Sequence, residues 1–194
     1  MLFYTITTFS LSYGTGELGL RNSTLLYATL ISVTIMGLAV PVFATLSDRL
    51  GRRNLCMAGA LLALMWAFPM FWLYDTGNPA LITVAFSVGM LAFAVLYGPM
   101  GAYLPELFGT RLRYSGASVS YNLGGVLGGA FAPIIASSLL IVAGGSWAIS
   151  LYIALMALIS LLRVFFLSET HLADISAMRE EERDVLAGGG VVPE

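Results

Sequence analysis

The chain has 194 residues, 58% of them apolar and only 10% charged, with a mean hydropathy of +0.88. Soluble domains carry roughly 25% charged residues, so this sequence lacks the polar material to cover a globule in water. Nine arginines, no lysine, eleven acids, one histidine and one cysteine exclude a disulfide scaffold, a multi-cysteine zinc site and a basic nucleic-acid binder. The composition is that of an integral membrane protein.

The first apolar run, residues 1–13, is rich in hydroxyls but short. At about 1.5 Å per residue it reaches roughly 20 Å, less than the ~30 Å hydrocarbon layer. It lacks the basic start and small-residue cleavage site of a signal peptide. It reads instead as the rear of a helix whose front is missing, with the frame starting inside a longer protein. Five charge-free runs of spanning length follow, at about 23–46, 55–74, 80–103, 115–142 and 147–167.

Arginine marks every second connection. Residues 47–54 hold Arg49, Arg52 and Arg53, residues 105–114 hold Arg111 and Arg113, and the tail holds Arg179 and Arg183. The alternate connections hold Arg21 alone, no base at 75–79, and no charge at 143–146. The positive-inside bias then predicts six crossings in a cell membrane, with both ends of the six-helix unit in the cytoplasm. The domain reading is a bundle over 1–167 and a polar tail over 168–194. Within the tail, Leu172, Ile175, Met178 and Leu186 fall near one helical face, apart from Glu180–Glu182. That pattern fits a short solvated helix or one that binds a partner.

The 47–54 stretch reads S-D-R-L-G-R-R-N. Topology alone would supply arginines, but not an acid directly before Arg49 or a glycine ahead of a paired base. Gly51 permits a tight turn. Asp48 is able to cap the N-terminus of a neighbouring helix, and the three arginines to fork onto carboxylates. Glu106, followed seven positions later by Arg113, offers a candidate acceptor.

An R-x-G-R-R turn after one helix, with E-x6-R two helices on, resembles the major facilitator superfamily. The likeness rests on Asp48, Arg49, Gly51, Arg52, Arg53, Glu106 and Arg113. Ala44 stands where the family signature begins with glycine, which is expected to loosen the helix approach there. Tyr97-Gly98-Pro99, the run from Ala102 to Ser118 and the glycine-rich stretch from Asn122 to Pro133 are similar to the bacterial metabolite–proton symporters, which carry osmolytes or organic acids. The resemblance implies an all-α membrane protein, the six-helix C-terminal half (helices seven to twelve) of a superfamily fold. It implies proton-coupled transport of a small metabolite by alternating access, with the partners being lipid, substrate, protons and an N-terminal six-helix half or a second copy. Asp48 and the arginines, with Glu106, would form a gate on the cytoplasmic face. No cofactor, metal or nucleic acid is implied. The alternative is a self-associating half-transporter or an inactive remnant.

Along 115–142, Ser115, Ser118, Asn122, Gly125 and Gly129 recur at spacings of three and four, one helical stripe. Two G-x-x-x-G pairs, Gly124/Gly128 and Gly125/Gly129, predict close helix packing, and Pro133 predicts a kink. The Asn122 amide needs a partner, in the cavity or on a neighbouring helix. Thr5, Thr8 and Ser12 share a face at 3.6 residues per turn, which the resemblance turns toward the central cavity. Tyr4, Tyr97 and Ser118 are further cavity candidates. Trp66, Trp72 and Trp147 read as packing or interfacial residues.

No span interior carries Asp, Glu, His or Lys, so a proton-coupling group is expected outside this stretch of chain. Catalysis is excluded on similar grounds. Ser115-Gly116-Ala117-Ser118 has no nearby base to activate a hydroxyl, because the one histidine, His171, lies in the tail.

Overall fold

A computed structural model describes residues 1–106 and 113–166, apart from the side chains of Glu106 and Arg113. The sequence-derived expectations for those two side chains, for Arg111, and for the tail helix and His171 therefore lie outside the described residues. Among the described residues the backbone is helix and turn. The elements are α1 (Leu2–Tyr4), a π-helical turn (Thr5–Phe9), α2 (Ser10–Gly16), α3 (Asn22–Leu50), α4 (Arg52–Asp75), α5 (Pro79–Tyr97), α6 (Met100–Glu106), α7 (Arg113–Gly129), α8 (Phe131–Ala143) and α9 (Trp147–Phe166).

Five stretches are long and apolar enough to cross a membrane: Asn22–Leu50, Arg52–Asp75, Pro79–Pro105, Tyr114–Ala143 and Trp147–Phe166. They coincide with the five long runs in the sequence. In lipid no water competes for the backbone, so an apolar chain must satisfy its amides within each segment, and helices result. Two spans are interrupted where proline removes a donor. Gly98 and Pro99 separate α5 from α6, and Ala130, between Gly129 and Phe131, separates α7 from α8 three residues before Pro133. The leading segment α1–α2 sits beside them, with Met1 against Gly128 about midway along the α7–α8 span.

The 47–54 stretch is not a loop. α3 runs through Asp48 and Arg49 to Leu50, and α4 begins at Arg52, so Gly51 alone turns the corner with φ 88°. A side chain at that φ would be strained, and glycine removes the penalty. Asp48, Arg49 and Asn54 are exposed and Arg52 and Arg53 half-buried, so the helices stay intact through the charged residues at little cost.

α4 packs between α5 and α9, and α5 packs between α3 and α4. The core is aromatic toward the end remote from the arginines. Phe9, Tyr13, Phe71, Tyr74 and Phe86 are all buried there, with Tyr74 edge-on to Phe86 at 5.0 Å and to Tyr13 at 5.4 Å. Small residues set the closest approaches. A Cβ on Gly59 would lie 2.6 Å from the Leu96 amide nitrogen, and one on Gly98 would lie 3.0 Å from that of Ala44. The expected loosening at Ala44 is thus absent in the structure, because Gly98 on the facing segment supplies the missing space.

The glycine stripe divides. Gly128 approaches Met1 and Gly129 approaches the Tyr4 ring, which a Cβ on Gly129 would meet at 2.9 Å, whereas Gly124 and Gly125 have nothing within 4 Å. Only the second member of each G-x-x-x-G pair packs a helix within the described residues.

These contacts give a paired expectation. Gly59→Ala forces α4 off the α5 backbone and should lower stability in detergent by about 1–3 kcal/mol, as overpacked cores do. Gly37→Ala, in open space on α3, should be neutral or stabilising by up to about 1 kcal/mol through helix propensity. Thermal unfolding followed by circular dichroism measures both.

Candidate functional site

The arginine corner follows from the helix geometry. Asp48 on the last turn of α3 faces Arg52 on the first turn of α4, with Nη2 to Oδ1 at 3.3 Å. Arginine at a helix N-terminus opposes the macrodipole, and the carboxylate offsets it. Asp48 is 62% exposed on its side chain, so the pair is worth at most about 1 kcal/mol by itself. The N-cap of α4 is Gly51 without a side-chain bond, so Asp48 serves this helix by pairing rather than capping. Arg49 is exposed.

Arg53 bonds to main-chain carbonyls, and the Glu106 carboxylate expected to receive an arginine fork lies outside the described residues. Its Nε donates to the Val164 carbonyl at 3.3 Å, its Nη2 donates to the Phe165 carbonyl, and the guanidinium lies 5.7 Å from the centre of the Phe165 ring. Both carbonyls belong to the last described turn of α9. The arginine triplet is therefore split, with Arg53 turned to the last helix and Arg52 to Asp48.

A second group lies between α3, the α5–α6 junction and α7. A cavity of about 350 Å³ is lined by Val40, Gly98, Leu104, Ala117 and two tyrosines, Tyr97 and Tyr121. The two phenol hydroxyls are 2.7 Å apart. Tyr97 is held by stacking on Phe93 at 5.2 Å, which in turn contacts Phe3 at 5.7 Å. Asn122 is exposed, and its amide donates to the Ser118 carbonyl at 2.8 Å on its own helix. The bond to a neighbouring helix is not the arrangement found among the described residues. Ser118 is exposed beside it.

The hydroxyl face of the first segment is corrected. Thr5 is buried, 1% exposed, while Tyr4, Thr8 and Ser12 are exposed. The exposed column thus runs at every fourth residue. The π-helical turn over Thr5–Phe9 adds i→i+5 bonding, which shifts Thr5 off the face that a uniform 3.6-residue period gives it. Tyr4 rests on Gly129, and so joins this column to the α7 stripe.

A third group has no counterpart among the sequence expectations. At the end remote from the arginines, Tyr13 donates to Asp75 Oδ1 at 2.8 Å, and Ser146 donates to Oδ2 of the same carboxylate. One acid thereby ties α2, the end of α4 and the start of α9. Tyr74 next to it donates to the Ser10 carbonyl. The signal for it in the sequence is a lone acid closing an apolar span, with no base in its connection. Tyr121 carries no such signal, since its partner lies 24 residues away.

The profile of the family described as "Sugar (and other) transporter" matches residues 5–181. An inner membrane metabolite transport protein of Escherichia coli is 37% identical over 87% of this chain and 39% of its own length. A shikimate transporter of Escherichia coli is 32% identical over 89% of the chain and 40% of its own length. A citrate–proton symporter of Klebsiella pneumoniae is 31% identical over 85% and 37%, respectively. The chain thus spans about two fifths of the length of the curated relatives it matches. No solved structure matches.

The carboxylate tie generates a prediction. Tyr13→Phe should lower stability by about 1 kcal/mol, the scale of one hydrogen bond, and Asp75→Ala by up to about 2 kcal/mol, because it removes the Ser146 bond as well. The double variant should fall short of the sum, because the two residues share one bond. Chemical or thermal unfolding of the four proteins closes the cycle.

Proposed function

The chain belongs to the sugar (and other) transporter family, within the major facilitator superfamily, and on that premise we propose that it is the C-terminal half of a proton-coupled carrier for a small organic acid or osmolyte. It is a multi-pass membrane protein and not an enzyme. The observation that carries the transport reading is a set of exposed polar side chains shared by the first segment and α7, which meet where Tyr4 rests on Gly129. Tyr4, Thr8, Ser12, Ser118, Tyr121 and Asn122 are all exposed on the first segment and α7, whereas the exposed positions of α4 and α9 are mostly apolar. Polar groups in a membrane face a cavity or a partner, so this set lines the substrate path against a second six-helix unit.

On this reading Tyr97 and Tyr121 offer hydroxyls to the substrate, and Phe93 holds the first ring in place. The groups are neutral. They suit the polar but uncharged parts of a small metabolite, and any charge on substrate or proton is met by the other half. Asp48, Arg49, Arg52, Glu106 and Arg113 form the cytoplasmic gate, set by the Gly51 corner. Rocking of two halves about a midplane site then gives alternating access. The names of the relatives, which include a shikimate transporter and a citrate–proton symporter, support the substrate class.

The test is uptake by cells expressing the reading frame extended upstream of Met1. Labelled shikimate, citrate, proline and ectoine are supplied with and without an uncoupler. Saturable uptake of one of them that collapses with the proton gradient is expected. Uptake unaffected by the uncoupler would overturn proton coupling, and equal uptake by the 194-residue chain alone would show that two copies suffice. In the same cells Tyr121→Phe should raise KM by about fivefold, the equivalent of one hydrogen bond.

A second expectation concerns the gate. Asp48→Asn preserves topology and volume but removes the anion facing Arg52. Several pairs of this size together are enough to move a conformational equilibrium whose gap is a few kcal/mol. Transport should fall several-fold while the amount of protein in the membrane is unchanged, and an unaltered rate would remove Asp48 from the gate.

A further inference from the structure

A groove of about 410 Å³ runs between the first half of α4 and the last turns of α9, walled by Met57, Ala58, Leu61, Leu161, Leu162 and Phe165. Its floor and rims are apolar, and it is open to the outside, with Leu61 47% and Phe165 54% exposed. It lies on the apolar side of the bundle, away from the hydroxyl face, and so faces hydrocarbon. Arg53 stands at its arginine-side end, one turn before Met57 on the same face of α4 and over the Phe165 ring that forms the opposite wall. Its two hydrogen bonds go to neutral carbonyls. Of its five N–H donors, those two are used, and it forms no ion pair among the described residues.

We propose that this groove binds the acyl chain of an anionic phospholipid from the leaflet at the arginine end, with the lipid phosphate on Arg53. The occupant follows from the two parts together. A concave apolar wall within the membrane takes a hydrocarbon chain, and a guanidinium at its mouth, lacking a carboxylate among the described residues, takes a phosphate through its remaining donors. Basic pockets between transmembrane helices recognise lipid head groups in this way. The contacts to Val164 and Phe165 fix the guanidinium plane, so the site is preorganised. Occupancy would bridge α4 to α9 at the corner that also holds Asp48 and Arg52. The proposal depends on membrane insertion and not on what the carrier transports.

The test uses the full chain in phosphatidylcholine bilayers, with Phe165→Trp as a reporter in the groove wall. A tryptophan there keeps the cation–π contact, and the signal of Trp66, Trp72 and Trp147 is subtracted from the parent chain. Brominated phosphatidylglycerol should quench the reporter at about fivefold lower mole fraction than brominated phosphatidylcholine, the preference expected of one basic residue near the surface. Arg53→Gln should merge the two curves, and Arg53→Lys should keep part of the separation. Arg163→Gln, which removes an exposed charge on α9, should leave it unchanged. Ala58→Phe, which fills the groove and leaves Arg53 in place, should abolish the preference and serves if Arg53→Gln fails to fold. Coincident curves in the parent, a preference that survives both variants, or equal losses from Arg163→Gln and Arg53→Gln would overturn the proposal. So would a reporter quenched by neither lipid, since protein would then fill the groove.

Discussion

In a hydrocarbon medium a hydroxyl without a partner costs far more than it does beside water, so each polar side chain in a span must find an acceptor at hand. Most of the hydroxyls here solve this locally. Thr7 bonds to the Phe3 carbonyl, Thr34 to Leu30, Ser137 to Pro133, Ser138 to Ile134 and Ser160 to Met156, each one turn back on its own helix. Such bonds use the hydroxyl's one donor and leave only its acceptor lone pairs. The exceptions therefore carry the information. Tyr13 and Ser146 reach another helix through Asp75, Tyr97 reaches Tyr121, and Arg53 reaches the end of α9. They fall at the two ends of the bundle and on the wall between.

The arginine end shows how a single backbone angle distributes charge. With a loop of several residues, Asp48 and the three arginines would be free to choose partners by electrostatics alone. With Gly51 as the sole turning residue, α3 and α4 continue in rigid register on either side, and each charged side chain leaves the corner in a direction set by its helix. Arg52 is brought onto Asp48, and Arg53, about 100° further round α4, is carried to the C-terminal carbonyls of α9. The same motif thus does two things. It neutralises an unfavourable helix start, and it ties α4 to the last described turn of α9. The second contact also holds α9 against α4, which packs between α9 and α5.

Length and charge make the five long spans legible, since apolar runs bounded by arginine leave little choice of ends. The proline and glycine interruptions near Pro99 and Pro133 are legible for the same local reason. Lateral partners are not. Nothing in the local pattern says that Gly98 faces Ala44, that Gly124 and Gly125 look into open space, or that Tyr121 meets Tyr97, because each depends on the azimuth and depth of two helices at once. The charged stretch at 47–54 reads as a loop because charge density ordinarily marks one. Helical continuity wins because only one residue is required to turn.

The first segment shows why a fixed period misplaces a face. Its buried positions come in pairs, Thr5 and Ile6, Phe9 and Ser10, Tyr13 and Gly14, and its exposed column is Tyr4, Thr8 and Ser12. Both sets repeat every four residues. An α-helix at 3.6 residues per turn drifts away from such a repeat within two turns, which would pull Phe9 or Tyr13 out of the core. One turn of i→i+5 bonding restores the register, because it adds most of a residue to that turn. Ile6, which a Cβ on Gly89 would meet at 2.9 Å, and Tyr13, which reaches Asp75, then share a core-facing side. The hydroxyls that are not needed for packing are aligned in one file along the opposite side. The core thus selects the π-helical turn, and the turn decides which threonine is exposed: Thr8, and not Thr5.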